Sequence, residues 1–302
     1  MAEPSEQLKA LLAIRWANKP DPTRPVEILR GAELDPGSVP RLGTTYEVLD
    51  ADGVYCEWVT WETSTTDSIF VYLHGGGYYR SSGPESRMAA SNLSKACGCR
   101  CLTVDYRLAP ENKFPAAIDD AYIAYQWLIK QGISPKQIVV GGSSAGGGLT
   151  AALLAKLKQN DEEQPAAAVL LSPWTDLTQS AETFVSNADI DPTISKLYLD
   201  LAAERYLNGA DPKHPLASPV YSDLEGLPPL LIQVGNEETM YGDAVAYADK
   251  ARMAGVPVEF KGFDHVPHAW HNSEQLVSGI PEVWAAIDQI GRFFKAHCSN
   301  AI

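Results

Sequence analysis

The sequence predicts an α/β protein: a mostly parallel sheet covered by helices on both faces. Two observations carry this. From about residue 46, short runs rich in Val, Ile, Leu and Tyr alternate with longer runs of helical periodicity. The chain of 302 residues is 45% hydrophobic, enough to bury the core of one large domain.

Residues 7–17 place Leu8, Leu11, Leu12 and Trp16 at helical spacing, and residues 18–45, rich in Pro and Gly, read as irregular. Strands are expected at 46–49, 54–61 and 68–74, then a helix at 85–97, a strand at 101–106 and a helix at 115–131. A strand at 137–142 leads into an Ala/Leu-rich helix at 145–159, and a further strand covers 167–173. Residues 175–227 break the rhythm and read as an insertion with one helix-like run at 194–207. The alternation then resumes with a strand at 229–235, a helix at 243–254, a strand at 256–263 and a helix at 281–297. In such a sheet, ligands bind at the carboxyl ends of the strands, so the loops there are where chemistry is sought.

The 38 acidic against 24 basic side chains give a net charge of −14, which disfavours nucleic acid and anionic lipid as partners. No run reaches the length of a membrane span. Glu3 and Glu6 stand where a secretory signal carries cations, so a cytoplasmic protein is expected. Five cysteines, an odd number, argue against a disulfide framework. Cys97, Cys99 and Cys101 lack zinc-knuckle spacing and read as buried small apolar residues.

The strand 137–142 runs into Gly142-Ser143-Ser144-Ala145-Gly146, a G-x-S-x-G match that opens a helix. A sharp strand-to-helix turn of small residues lifts a serine hydroxyl above a sheet and sets the next backbone N–H at a helix N-terminus. Ser144 is therefore the candidate nucleophile; Ser143 is a rival, but only Ser144 has Gly at both flanking positions of the pattern. A Gly-rich phosphate loop is the competing reading, but no G-x-G-x-x-G frame or Walker lysine is present. Upstream, His74-Gly75-Gly76-Gly77-Tyr78 ends a strand and leaves bare amides able to approach a substrate oxygen.

Together, residues 74–78, DYRLAPENKFPAAIDDAY at 105–122, GSSAGGG at 142–148 and SPWTDL at 172–177 resemble the hormone-sensitive-lipase-like branch of the α/β-hydrolases. The resemblance runs from about residue 45 to the C-terminus. It implies the α/β-hydrolase fold with an eight-stranded, mostly parallel sheet over residues 1–302. It also implies a helical cap built from about 1–45 and 178–222. It implies Gly76, Gly77 and Ala145 as oxyanion donors, no cofactor or metal, and a homodimer through an edge strand and the last helix. The chain departs from the family by placing Ser143, rather than Asp or Thr, before the candidate nucleophile.

The α/β-hydrolase order is Ser, acid, His. In the late segment FDHVPHAWH, the family's H-x-F-like motif matches His268-Ala269-Trp270. The three-residue spacing of His265, His268 and His271 raises a metal alternative that Pro267 disfavours. The acid follows the strand at 229–235, among Glu237, Glu238 and Asp243; the family's G-S-D-E-x-L variant aligns Glu238 with it. Glu237 then reads as a solvated surface charge.

The expected activity is hydrolysis of short to medium acyl esters by a Ser-His-Glu triad through an acyl-enzyme. Tyr78, Tyr79, Trp16, Tyr198, Leu201 and Tyr206 are candidate walls of an acyl pocket, each with a plain core role as the alternative. Lactonases, amidases and small-molecule deacetylases use the same triad. A non-catalytic receptor on this fold, as in the plant gibberellin receptors, replaces the histidine that this chain retains as His268.

Overall fold

The alternating apolar runs fold into eight strands: β1 (Thr44–Ala51), β2 (Val54–Trp61), β3 (Thr66–Leu73), β4 (Cys99–Val104), β5 (Ile138–Ser143), β6 (Ala167–Leu171), β7 (Leu230–Gly235) and β8 (Val258–Phe263). The computed structural model describes residues 3–31 and 38–298. The strands form one sheet in the order β1-β2-β4-β3-β5-β6-β7-β8. Strand β2 pairs antiparallel with both β1 and β4, and every pairing from β4 to β8 is parallel. The helices are α1 (Glu6–Ala17), α2 (Val26–Gly31), α3 (Arg87–Cys97), α4 (Ala116–Lys130), α5 (Ala145–Gln159), α6 (Thr183–Ser186), α7 (Lys196–Leu207), α8 (Tyr241–Met253) and α9 (Pro281–His297).

The near-continuous apolar runs of the central strands follow from burial on both faces. In β3, Ile69, Val71 and Leu73 join one core with α4 and α5, while Phe70 and Tyr72 join a second core with α3 and α9. Helix α1 adds Leu8 and Leu11 to that second core. Ser5 fixes its start, accepting from Leu8 N at 3.1 Å and donating from Oγ to Glu282 Oε2 of α9 at 2.7 Å.

Several elements depart from the sequence reading, among them α6, a helix of four residues in the insertion. The strand expected at 101–106 begins at Cys99, because Gly98 at φ 70° ends α3 in the left-handed conformation and turns the chain straight into β4. The helix expected from residue 85 opens with a 3-10 turn over Pro84–Ser86. Residues 18–45 are not wholly irregular: α2 lies there, six residues long and too short to display a helical period.

The cap segments expected at 1–45 and 178–222 touch each other where they are described; residues 1–2 and 32–37 of the first lie outside the described residues. Lys19 Nζ reaches the Asp191 carbonyl at 2.7 Å, and Arg205 Nη2 reaches the Pro22 carbonyl at 3.1 Å. Among the described residues, no helix is long and apolar enough to cross a membrane.

One buried ion pair ties α3 to the sheet. Glu57 of β2 is fully buried and accepts from Arg87 Nη2 at 2.6 Å, Arg87 Nε at 2.8 Å and the Tyr55 hydroxyl at 2.7 Å. Removing the guanidinium strands a carboxylate in the interior. Arg87→Ala is expected to lower the unfolding free energy by about 3 kcal/mol or more, measured by urea denaturation.

Candidate active site

Ser144 sits between β5 and α5 with φ 57° and ψ −121°, a backbone conformation costly for a residue with a side chain. The surroundings hold it there. Its N–H donates to the Leu171 carbonyl at 2.9 Å, and its own carbonyl accepts from Gly148 N and Trp174 N, each at 3.0 Å. The turn packs so closely on the end of β3 that a Cβ on Gly146 would lie 2.0 Å from the Leu73 carbonyl oxygen and 2.4 Å from that of His74. The helix start places the Ala145 amide directly after the serine.

The glycine loop lies beside this turn. Gly76 has φ 107°, and a Cβ there would come within 2.2 Å of the Arg80 carbonyl oxygen. Gly75, Gly76 and Gly77 line one cavity of about 170 Å³ together with Ser144 and His268. Thr193, Ile194 and Tyr198 of the insertion form part of its wall.

His268 is buried, and its Nδ1 lies 2.6 Å from Glu238 Oε2. A carboxylate only accepts, so Nδ1 donates this bond; in the neutral imidazole Nε2 is then the nitrogen that carries the lone pair. Nε2 is buried and has no hydrogen-bond partner. Glu238 is 1% exposed. Its Oε1 accepts from Gly235 N at 2.6 Å and Ser172 Oγ at 2.7 Å, so both carboxylate oxygens are committed.

The three late histidines diverge to three partners. His265 pairs with Glu237, His268 with Glu238, and His271 Nε2 with Gln233 Oε1 at 3.0 Å. Glu237 is not simply solvated: its Oε2 accepts from His265 N at 2.8 Å and ties the histidine loop to the loop after β7.

A model of the alpha/beta hydrolase fold family matches residues 70–272. The chain is 37% identical to an acetyl-hydrolase of Streptomyces hygroscopicus, covering 98% of this chain and 97% of that one. It is 36% identical to an esterase of Acinetobacter venetianus over 80% of this chain and 78% of the relative. A crystal structure of an esterase from the bacterial hormone-sensitive lipase family superposes with a TM-score of 0.93 at 40% identity, covering 99% of this chain and 100% of the other. The chain belongs to the alpha/beta hydrolase fold family. Within it, the neighbours put this hydrolase in the hormone-sensitive-lipase-like branch.

Of the six aromatic and aliphatic pocket candidates, this hydrolase brings Tyr198 to the Ser144 cavity. Tyr78, Tyr79 and Tyr206 do not line it. Tyr78 and Tyr206 stack on each other with ring centroids 3.9 Å apart, and both are buried in the core, Tyr206 reaching it from helix α7 of the insertion. Tyr79 is fully buried, with the Arg205 guanidinium 4.9 Å from its ring centre. Leu201 faces a separate depression beside Lys113 and Asn208. Trp16 lines a neighbouring hollow of about 140 Å³ that reaches His268 and Glu238.

The sequence did not show what two serine hydroxyls join. Ser172, in the SPWTDL run, is fully buried at φ 44°; its hydroxyl donates to Glu238 and accepts from Ala269 N at 3.3 Å, so one oxygen joins Glu238 to the histidine loop. Ser143, the departure from the family, accepts from Asn272 Nδ2 at 3.1 Å and lies 3.1 Å from the Tyr72 hydroxyl. Tyr72 also lies 3.2 Å from Asn272 Oδ1, closing a polar triangle beside the turn. The motif matches flagged both serines, but a match carries no information about cross-chain partners.

Two histidines near the site are held neutral by burial. His74 stacks on Tyr106 at 4.0 Å, donates from Nδ1 to the Gly75 carbonyl at 2.7 Å, and is pushed down to about 4, chiefly by desolvation. His271 is pushed down to about 3, by desolvation first and by His268 second.

Two outcomes are expected. Ser172→Ala should lower kcat by about 10- to 100-fold with KM little changed, since it loosens the acid and leaves the cavity wall in place; steady-state kinetics check this. Both buried histidines have folded values below the unfolded value of 6.5, so the unfolded chain binds protons first as pH falls. Their stabilising contribution is complete above that value and is lost as pH falls from it towards 4 and 3. Each should add a slope of up to about 1.4 kcal/mol per pH unit in that window. Urea midpoints for His271→Gln should lose one such contribution.

Proposed function

We propose that, in this carboxylic ester hydrolase, Ser144 is the nucleophile, His268 its base and Glu238 the acid that orients the base. The observation that carries the reading is the state of His268. Its Nδ1 is committed to a buried carboxylate at 2.6 Å, while its Nε2 is unpartnered and the residue lines the same cavity as Ser144. Nε2 takes the Ser144 proton as Oγ attacks the acyl carbon. Amides of Gly76, Gly77 and Ala145 stabilise the oxyanion. The imidazolium then protonates the leaving alkoxide, and water repeats the sequence to release the acid.

The substrates we propose are short to medium acyl esters, on the small cavity of about 170 Å³. A second reading, a small-molecule deacetylase with the same chemistry, is favoured by the 37% identity to an acetyl-hydrolase. Segments 1–45 and 178–222 serve as the cap over this cavity; Thr193, Ile194 and Tyr198 in its wall support that role. A cytoplasmic setting is supported by the five cysteines, all buried thiols. The half-exposed edge strand β8 supports a homodimer through that edge.

Turnover of p-nitrophenyl acetate, butyrate and octanoate tests the assignment. Ser144→Ala and His268→Ala should each lower kcat by about 10⁴-fold or more, and the double variant should lose little beyond either. Glu238→Gln should lose about 10²- to 10⁴-fold, whereas Glu237→Gln should stay within about tenfold. Full activity in Ser144→Ala would refute the reading.

A further inference from the structure

The insertion carries a buried carboxylate, Asp191, that the mechanism above does not use. Asp191 is 1% exposed and accepts four hydrogen bonds in two pairs. Its Oδ1 takes Thr193 N at 2.8 Å and Ile194 N at 3.0 Å. Its Oδ2 takes Thr239 N at 2.9 Å and Thr239 Oγ1 at 3.1 Å. The first pair belongs to the wall of the Ser144 cavity. The second belongs to the residue directly after Glu238. The Asp191 carbonyl also accepts from Lys19 Nζ at 2.7 Å, which brings the N-terminal segment to the same point.

A carboxylate serves both sides because both of its oxygens accept. It presents acceptors in both directions, whereas an amide presents one acceptor and one donor. An asparagine here satisfies one pair and sets its NH₂ against the N–H groups of the other. The wall and the acid loop are therefore held in register by charge and geometry together, with no cation on the carboxylate oxygens among the described residues.

We propose that Asp191 is a positioning residue that sets the shape of the substrate cavity by latching its Thr193–Ile194 wall to the loop of the triad acid. The proposal rests on the Ser144-His268-Glu238 reading. A purely structural staple is the competing account, and the chain supplies its own control. Asp176, 5% exposed, accepts from Thr178 N at 2.9 Å, Thr178 Oγ1 at 2.6 Å, Ser180 Oγ at 2.6 Å and the Tyr221 hydroxyl at 3.2 Å. None of these partners lines the Ser144 cavity.

The test is steady-state kinetics on p-nitrophenyl acetate, butyrate and octanoate, below the Tm of each variant, for Asp191→Asn, Thr239→Val and Asp176→Asn. Asp191→Asn is expected to raise KM for butyrate about tenfold with kcat within about threefold, and to shift the octanoate-to-acetate ratio of kcat/KM. Thr239→Val keeps the backbone bond and removes only the hydroxyl. It guards against an unfolded Asp191→Asn and should raise KM about threefold in the same sense. Asp176→Asn should leave KM and the ratio within about twofold of wild type. Wild-type KM and ratio in Thr239→Val together with any folded Asp191→Asn would overturn the proposal, as would an equal change in Asp176→Asn. Turnover by Ser144→Ala would instead sink the triad reading beneath it.

Discussion

Everything at the site depends on how closely the turn after β5 is pressed against the end of β3. The Gly146 position leaves no space for a Cβ beside the Leu73 and His74 carbonyls. That contact holds Ser144 in its strained conformation and brings the Gly75–Gly77 amides alongside it. The strain persists because the Leu171, Gly148 and Trp174 bonds fix the backbone on either side. A looser packing would let the serine relax and carry its hydroxyl away from the glycine loop.

The second constraint is electrostatic. A carboxylate as buried as Glu238 is tolerated because every oxygen is paired: one with the His268 ring, the other with a backbone amide and the Ser172 hydroxyl. Such a network holds the imidazole tautomer without motion of the acid. The same logic recurs at Asp191, where four neutral donors satisfy a buried charge and link two loops. The fold thus uses buried carboxylates as joints between the histidine loop, the acid loop and the insertion.

Much of this was legible in the residues. The turn at Ser144 was visible because its small neighbours are contiguous in sequence and the strain has a local signature. The strand order was less visible: nothing in the pattern of β2 says that it pairs with β4 rather than β3. Aromatic candidates misled for a physical reason. Tyr78 follows the glycine loop, yet Gly77 at φ 61° and Tyr78 at φ 64° turn the side chain down onto Tyr206, into the core. Composition cannot separate a ring that lines a cavity from one that packs beneath it.

By itself, the sequence determined the α/β alternation, the strained serine turn and the bare glycine loop. These are properties of adjacent residues, set by local sterics and periodicity. Glu238 was named from the sequence only through the family resemblance; tertiary structure alone decided that it meets His268 in space, what the Ser143 and Ser172 hydroxyls join, and which side chains line the cavity. Those are contacts between segments 30 to 200 positions apart, from Glu238 with His268 to Tyr72 with Asn272. A hydrogen bond of that kind depends on angles accumulated over the whole sheet, and no local pattern encodes them.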